Sequence, residues 1–482
     1  MKITDFIDII SPLILETAVS VGETELEKIT ADSREAAPGT VFFCIRGVNS
    51  DGHDFIEQAF AKGASLVVGE KELKNENYIR VRSVKEVLTA VLPVFYGYPD
   101  RKMKMFGVTG TNGKTSTTFI LENLLKEDMS CGVVGTLSYK YAGKTIPAQN
   151  TTPLNWKWYS LLDDMQKNGV DAVISEVSSH ALAENRIEKT MFDVAVFTNL
   201  TRDHLDFHKT FENYYQAKKK LFTEHLKEGG TAVINIDDEA GKRLSAELGN
   251  VRQIRISEKD NSAELFIKIE EMTDQGSVVV FTIGGISKKV KIPLVGNFNV
   301  YNTAGAFAAA SVFTGAEKAF ERVENSVSVP GRLEKVGNHS VYIDYAHTPD
   351  AMENVLKTLR GMGIYEKIII VFGAGGDRDR GKRPIMGETA CRFADTVIVT
   401  DDNPRTEEPS EIIKDILAGC GGNPNVAVIN DRSEAIKKAI EIKGEKDAVL
   451  IAGKGAEDYQ ITRSGKKFFS DKAEAEKFLR GE

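Results

Sequence analysis

The segment GTNGKTST, Gly110–Thr117, narrows the folds open to this chain more than any other. It follows an apolar run, Met103–Val108, and opens a helical pattern. A buried strand that runs through a glycine turn into a helix is half of a parallel β-α unit. Such units require a sheet with helices covering its faces. The glycines let backbone N–H groups point at phosphate oxygens. Lys114 supplies a point charge to the terminal phosphates, and Thr115 offers a hydroxyl to Mg²⁺. The spacing departs from the usual Walker loop, because two residues rather than four separate Gly110 from Gly113-Lys114. Strand, loop, lysine, threonine and helix agree on a nucleoside triphosphate, and leave its use open.

The rest of the chain has the rhythm that this unit demands. At 482 residues it is long enough for about three domains. Met1 to about Tyr98 alternates short strands (Thr40–Ile45, Ser65–Val68) with helices, and Pro99-Asp100 ends that texture. Apolar runs at Ala172–Glu176, Val194–Leu200 and Thr231–Ile236 then read as central strands. Between Val251 and Leu294 the strands Ile254–Ser257, Leu265–Ile269, Ser277–Ile283 and Lys288–Ile292 read as an antiparallel insertion. After Pro330-Gly331 a second open sheet is expected from Val341–Tyr345, Ile368–Phe372, Thr396–Thr400, Val426–Ile429 and Ala448–Ile451. The predicted fold is α/β with three domains: a smaller N-terminal α/β domain (1–98), a central P-loop parallel sheet (99–328) and a C-terminal Rossmann-like sheet (329–482).

Composition excludes several classes. The formal charge of −8 argues against non-specific nucleic-acid binding. The N-terminus breaks its apolar residues with acids and a proline, so no signal peptide is expected, and no long uncharged apolar stretch predicts membrane insertion. The four scattered cysteines form no C-x-x-C pair, which fits a cytoplasmic protein.

Two further motifs leave buried strands. ISEVSSHAL places Glu176 at a strand end, suited to a Mg²⁺-directed carboxylate or simply to water. FTNLTRDHLDFH carries His204 and His208 four apart, but no glutamate follows His204, so the zinc-protease pattern fails and one histidine aiding Mg²⁺ is the better reading. Lys218 in QAKKKLF reads, on its own, as part of a solvated basic face.

Together with GNFNVYNTAGA and DYAHTPDA, these motifs resemble the Mur ligase family over essentially the whole chain. ADSR (Ala31–Arg34), NTTP (Asn150–Pro153) and DNPR (Asp402–Arg405) narrow the resemblance to its diaminopimelate-adding branch. The resemblance implies an ATP-dependent, amide-forming ligase of peptidoglycan precursor synthesis. A substrate carboxylate would be phosphorylated by ATP and the acyl phosphate captured by an amine. It assigns catalysis to Lys114, Glu176, His204 and Lys218, with Lys218 carbamylated by CO₂ to N6-carboxylysine and Thr115, Glu176, His204 and the carbamate serving Mg²⁺. A carbamate would attract divalent cations where an ammonium would repel them. ATP falls to Gly110, Thr111, Asn112, Gly113, Lys114, Thr115, Ser116, Asn297, Arg332 and Asp344, with His347 nearby.

For the UDP-N-acetylmuramoyl dipeptide the resemblance implies Ala31, Ser33, Val48, Asn49 and Ser50 at one end. Asn150, Thr151, Thr152, Ser178, Glu184 and Arg186 would hold the other, Glu184 standing where glutamine is common. For meso-diaminopimelate it implies Arg378, Asp402, Asn403, Pro404, Arg405, Gly453 and Glu457, although Ala456 departs from the frequent GKGHE. The distal carboxylate of diaminopimelate, absent from lysine, needs an extra cation, and Arg405 supplies one with bidentate geometry. The expected partners are therefore these small molecules, with a monomeric protein and no nucleic acid. The alternatives are a lysine-adding relative, which DNPR opposes, a folylpolyglutamate synthase, which ADSR and NTTP oppose, and a nucleotide-driven P-loop switch, which leaves the arginine motifs without a role.

Overall fold

The computed structural model describes residues 1–19, 24–47, 50–325 and 329–481. The fold is α/β throughout, and the chain forms two compact units. One comprises Met1–Gly107, Asp128–Ala195 and Ala217–Gly230; the other comprises Val108–Glu127, Val196–Gln216 and Thr231–Glu482. Each is described in turn.

The first unit contains a five-stranded sheet in the order Ile14–Thr17, Tyr78–Val81, Leu66–Gly69, Thr40–Phe43, Lys28–Thr30. Only the Ile14–Thr17 edge is antiparallel. Phe42, Val67 and Tyr78 fill its core against Ala59. In the same unit Ala172–Glu176 pairs in parallel with Cys131–Val134, which continues into a hairpin of Ser138–Tyr141 and Lys144–Pro147. That hairpin was not expected from the sequence. Its turn, Ala142-Gly143, has positive φ at both residues (45° and 76°), the mirror-image geometry that matches strand twist. An alanine there hides the usual Asn-Gly or Asp-Gly signal.

The second unit carries the nucleotide loop, with the helix Lys114–Leu125 packed on the helix Asn297–Thr314. Ala304, Gly305, Ala306 and Ala308–Ala310 are buried, and these small side chains let the two helices approach closely. The expected antiparallel insertion needs one correction. Arg252–Ser257 pairs in parallel with both Leu226–Asn235 and Leu265–Thr273, and antiparallel pairing begins only with Gly276–Ile283 and Ile286–Ile292. The Glu258–Glu264 link, held by Ser257 Oγ and a turn at Asp260, returns the chain to run alongside rather than back.

The C-terminal sheet has the order Glu334–Lys335, Val341–Asp344, Ala448–Ala452, Ile368–Phe372, Thr396–Val399, Val426–Val428, parallel apart from its first strand. Its central runs, Ile368–Phe372 and Ala448–Ala452, are apolar and buried at every position because both faces are covered. Ile368, Ile370 and Phe372 meet one set of helices through Leu356, Met386 and Ile416, while Ile369 and Val371 meet Ala435, Ile436 and Ala475. The expected strands all form, within one or two residues of their bounds.

At one end of this sheet Arg432 donates Nε and Nη2 to the two Asp471 oxygens, each at 2.7 Å, and also bonds the Ala452 carbonyl. Both side chains are fully buried. Arg432→Met leaves a buried unpaired carboxylate and should destabilise the protein by about 3–5 kcal/mol. Arg432→Met with Asp471→Leu should recover most of that, as denaturant unfolding of the single and double variants would measure.

Candidate active site

The nucleotide loop is shaped by what lies beneath it. Gly113 has φ 88°, and a Cβ there would lie 2.3 Å from Asn302 Oδ1. A Cβ on Gly110 would fall 1.8 Å from Thr198 Oγ1. Glycine is therefore required at both positions by contact as well as by dihedral angle. Thr198 Oγ1 donates to the Asn112 carbonyl at 2.6 Å, and Asn199 Oδ1 accepts the Asn112 N–H. The preceding strand ends at Phe197 rather than at the expected Leu200, and Thr198 and Asn199 bond to the loop. Thr111 Oγ1 lies 3.1 Å from the Tyr214 hydroxyl and accepts the Thr201 N–H. Lys114 Nζ donates to the Gly110 and Thr111 carbonyls at 2.8 Å. Thr115 and Ser116 are buried in the first helical turn.

Arg332 brings the C-terminal segment to this loop, its Nη2 donating to Thr115 Oγ1 at 3.1 Å while the guanidinium rests on the Tyr345 ring. Asp344 accepts the Leu333 and Ala346 N–H groups, one on each oxygen. Burial pushes its carboxyl up to about 6, opposed by the Arg332 charge and those two bonds. His347 is pushed down to about 4 by burial and by Lys382, whose Nζ donates to the His347 carbonyl. Asn297 is exposed at the start of its helix. His204 is 41% exposed with φ 54°, whereas His208 is buried against the Tyr214 ring, so the two histidines have different surroundings and do not read as a zinc pair.

A second cluster lies in the first unit. Glu176 is buried rather than facing water, and its two oxygens accept the Thr136 N–H at 2.9 Å and the Thr136 hydroxyl at 3.0 Å. Thr151 Oγ1 is 3.1 Å from Thr136 Oγ1, and Thr152 Oγ1 donates to the Glu176 carbonyl while accepting the Ser178 N–H. The Asn150 carbonyl accepts from Tyr139. Arg186 bonds the Thr152 carbonyl and Glu184. Asn150–Thr152, Glu176, Ser178, Glu184 and Arg186 thus converge on one place. Lys218, also of this unit, is buried and does not sit on a solvated face. Ser33 donates to Gln58 at 2.6 Å beside Ala31, and Ser50 is exposed. Val48 and Asn49 lie outside the described residues.

A third cluster, in the second unit, joins Asp402–Arg405 to Gly453–Glu457. Asn403 donates to Glu457 Oε2 at 3.0 Å and accepts from Lys454 and the Ile461 N–H. Arg405, at φ 53°, donates to the Gly376 carbonyl at 2.8 Å. A Cβ on Gly453 would lie 2.7 Å from Asp402 Oδ2. Gly331 packs against the backbone of Gly455 and Ala456, tying this loop to the segment that carries Arg332. Burial raises the Glu457 carboxyl, with Lys454 opposing. Arg378 is exposed and bonds the Asp377 carbonyl.

Three family models match the chain: the Mur ligase family catalytic domain over residues 25–95, the Mur ligase middle domain over 108–310, and the Mur ligase glutamate ligase domain over 331–455. The chain belongs to the Mur ligase family. Members of this family are ATP-dependent, amide-forming ligases, and the chain is one of them. A protein of Clostridium acetobutylicum named UDP-N-acetylmuramoyl-L-alanyl-D-glutamate--2,6-diaminopimelate ligase 1 is 39% identical over 95% of both chains. A Fusobacterium nucleatum protein carrying that ligase name without the number is 41% identical over 93% of each. A solved structure of a ligase of that name has a TM-score of 0.68 at 32% identity, covering 99% of this chain and 98% of that one. MurF ligase from Thermotoga maritima in complex with ADP shares the fold at 20% identity and TM-score 0.66, over 90% and 94% of the two chains.

Several residues that shape these clusters were not anticipated. Asn299 and Asn302 are buried under the loop, and polar residues three apart in an Ala-rich helix are the available signal. Thr136 and Lys454 had none beyond following a strand. Among the described residues no three His, Cys, Asp or Glu side chains are grouped to hold a metal. Thr115 in one unit and Glu176 in the other each offer an oxygen donor of the kind Mg²⁺ takes.

Asp344 gives a pH signature. Its carboxyl is raised from 3.8 to about 6, so its contribution to stability is full below about pH 4 and lost as pH rises through 6. Asp344→Asn should therefore gain on the wild type between pH 4 and pH 7, by about 3 kcal/mol at most for a shift of about two units. Thermal unfolding of both proteins across that range would test it. The lost acceptor offsets all values alike and drops out of the comparison.

Proposed function

We propose that this Mur ligase adds meso-diaminopimelate to the D-glutamate of UDP-N-acetylmuramoyl-L-Ala-D-Glu in peptidoglycan precursor synthesis, as a monomer in the cytoplasm. The observation that carries this reading is Arg405 of DNPR, held to the Gly376 carbonyl in a chain about 40% identical to ligases of that name. Among the described residues no helix is long and apolar enough to cross a membrane, and no disulfide joins the four cysteines. The domains we assign are 1–98 for the UDP-sugar, 99–328 for ATP and 329–482 for the amino acid.

In this reading the substrate carboxylate attacks the γ-phosphorus of ATP, a P–O bond to ADP breaks, and an acyl phosphate forms. The amine of diaminopimelate then adds to the acyl carbon, phosphate leaves with its bonding pair, and the amine proton is lost. The protein's part is positioning and neutralising charge. Gly110–Ser116, Asn297, Arg332 and Asp344 hold ATP, with Lys114 exchanging the Gly110 and Thr111 carbonyls for phosphate oxygens. Thr115, Glu176, His204 and a carbamate on Lys218 are the groups that would hold Mg²⁺, which supplies charge neutralisation at the phosphates.

Ala31, Ser33, Val48, Asn49 and Ser50, then Asn150–Thr152, Ser178, Glu184 and Arg186, bind the UDP-sugar peptide. Arg378, Asp402–Arg405, Gly453 and Glu457 bind diaminopimelate, its carboxylates at the arginines and an ammonium at Glu457. Losing one partner of a desolvated charge pair costs about 2–5 kcal/mol, enough to separate diaminopimelate from lysine by more than tenfold.

With UDP-N-acetylmuramoyl-L-Ala-D-Glu, ATP and Mg²⁺, product mass and phosphate release should show turnover with diaminopimelate and little with lysine. The opposite preference would overturn the role given to Arg405 in favour of a lysine-adding ligase, and turnover with neither would overturn the substrate assignment. Lys218→Ala should abolish most ligation in the same assay; near-normal rates at ordinary bicarbonate would remove the carbamate from the scheme.

A further inference from the structure

The basic run GDRDRGKR and the DNPRTEE segment place Arg378, Arg380 and Arg405 on two neighbouring loops, with Arg383 in the first turn of the helix Lys382–Phe393. Only some of these charges are met by acids, and Glu407 decides which. Its Oε1 accepts Arg383 Nη2 at 2.8 Å and the Asp377 N–H at 2.6 Å. Its Oε2 accepts Arg380 Nη2 at 2.7 Å and Arg383 Nη1 at 3.1 Å. Two cations and one backbone amide thus hold the Glu407 carboxyl down to about 2, the Arg383 hydrogen bonds leading.

Arg383 is fully buried and extends the same network, reaching Asp415 Oδ2 at 2.9 Å and the Gly375 carbonyl at 3.2 Å. A second strap runs the other way, since Asp377 accepts the Thr406 hydroxyl at 2.7 Å and the Thr406 N–H at 3.3 Å. Asp377 and Arg405 both sit at positive φ, 54° and 53°. Such a backbone conformation in non-glycine residues persists where the surroundings hold it. The bonds of Asp377 to Glu407 and Thr406, and the Arg405 N–H bond to the Ile461 carbonyl, do so here.

The remaining two arginines have no carboxylate partner among the described residues. Arg378 bonds the Asp377 carbonyl, and Arg405 bonds the Gly376 and Asn403 carbonyls. Gly375 makes room for this, because a Cβ there would lie 2.8 Å from Arg405 Nη1. Carbonyls orient a guanidinium without neutralising it, and leave N–H groups for an incoming carboxylate.

We propose that Glu407 is a positioning and specificity-determining residue for the amino-acid substrate. It binds Arg380 and Arg383 in ion pairs, clasps the Gly375–Gly381 loop and the helix start after it to the Asn403–Glu407 loop, and so presents Arg378 and Arg405 as the two unneutralised cations for a dicarboxylic amino acid. This deepens the diaminopimelate reading and rests on it. Glu407 itself touches no substrate; it acts through the geometry and charge of its neighbours.

The test compares the wild type with Glu407→Gln, Glu407→Ala and Thr406→Val, measuring kcat and the KM of each substrate together with the unfolding temperature. The expected result for Glu407→Ala is a KM for diaminopimelate raised roughly ten- to a hundredfold, with the KM for ATP and for the UDP-dipeptide within about twofold. Glu407→Gln keeps an acceptor for the Asp377 N–H without the charge, and should fall between. Thr406→Val removes the hydroxyl bond of the opposite strap, keeping its backbone N–H bond and the Arg380 and Arg383 ion pairs, and should raise the same KM by a smaller factor at unchanged unfolding temperature. An unchanged KM for diaminopimelate in Glu407→Ala, or a rise in all three KM values in both Glu407→Ala and Thr406→Val, would overturn the proposal. A wild type that does not use diaminopimelate would overturn the parent reading and this one with it, and the wild-type assay run first separates the two failures.

Discussion

The nucleotide loop can exist only because backbone, not side chain, meets its neighbours at two points. At Gly110 and Gly113 the space where a Cβ would stand is taken by Thr198 and Asn302. The second contact fixes the distance between the loop and the helix Asn297–Thr314, and the first fixes its distance from the Thr198–Thr201 turn. Once those distances are set, the amides of the loop have one direction to face, and Lys114 and Thr115 follow from the start of the helix. Asn299 and Asn302 are tolerated in an otherwise apolar helix because each has a partner: Asn299 bonds the Val295 carbonyl and accepts from Asn302.

The C-terminal segment answers a different constraint. Its central strands bury both faces, so in Ile368–Phe372 and Ala448–Ala452 side chains of either parity are apolar and polar groups wait until the strand ends. The candidate site residues accordingly cluster at or just past strand ends: Asp344 at the end of Val341–Asp344, Gly373–Asp377 after Ile368–Phe372, Asp401–Arg405 after Thr396–Val399, and Gly453 after Ala448–Ala452. Polar chemistry in such a sheet is displaced to its carboxyl edge by the demands of the core.

That displacement explains what the sequence disclosed. Strand runs were legible because double-sided burial leaves few polar interruptions, and motifs were legible because they are the first polar residues after each run. The hairpin at Ala142-Gly143 was not, since an alanine at positive φ looks like any other alanine. The parallel pairing of Arg252–Ser257 was missed because alternation reveals a half-buried strand but not its direction. Lys218 read as one of three solvated lysines, and which of the three turns inward depends on helix packing that spacing alone does not determine. The roles of Arg383 and Glu407 were hidden for the same reason: in GDRDRGKR every arginine has the same chemistry until burial separates them.

Burial separates them by making partner choice obligatory. A guanidinium with no exposed surface, as at Arg383, must carry its counter-charge with it, and it takes both Glu407 and Asp415. Arg378, exposed, has no such requirement and can wait for a ligand. Arg405 lies between these cases, partly buried and anchored by carbonyls, so it is held in place yet retains its charge. An arginine in this intermediate state suits recognition of a carboxylate, since fixing the side chain beforehand lowers the entropic penalty of binding while its charge remains unspent. The selectivity of the site therefore depends as much on which arginines are removed from consideration as on which remain.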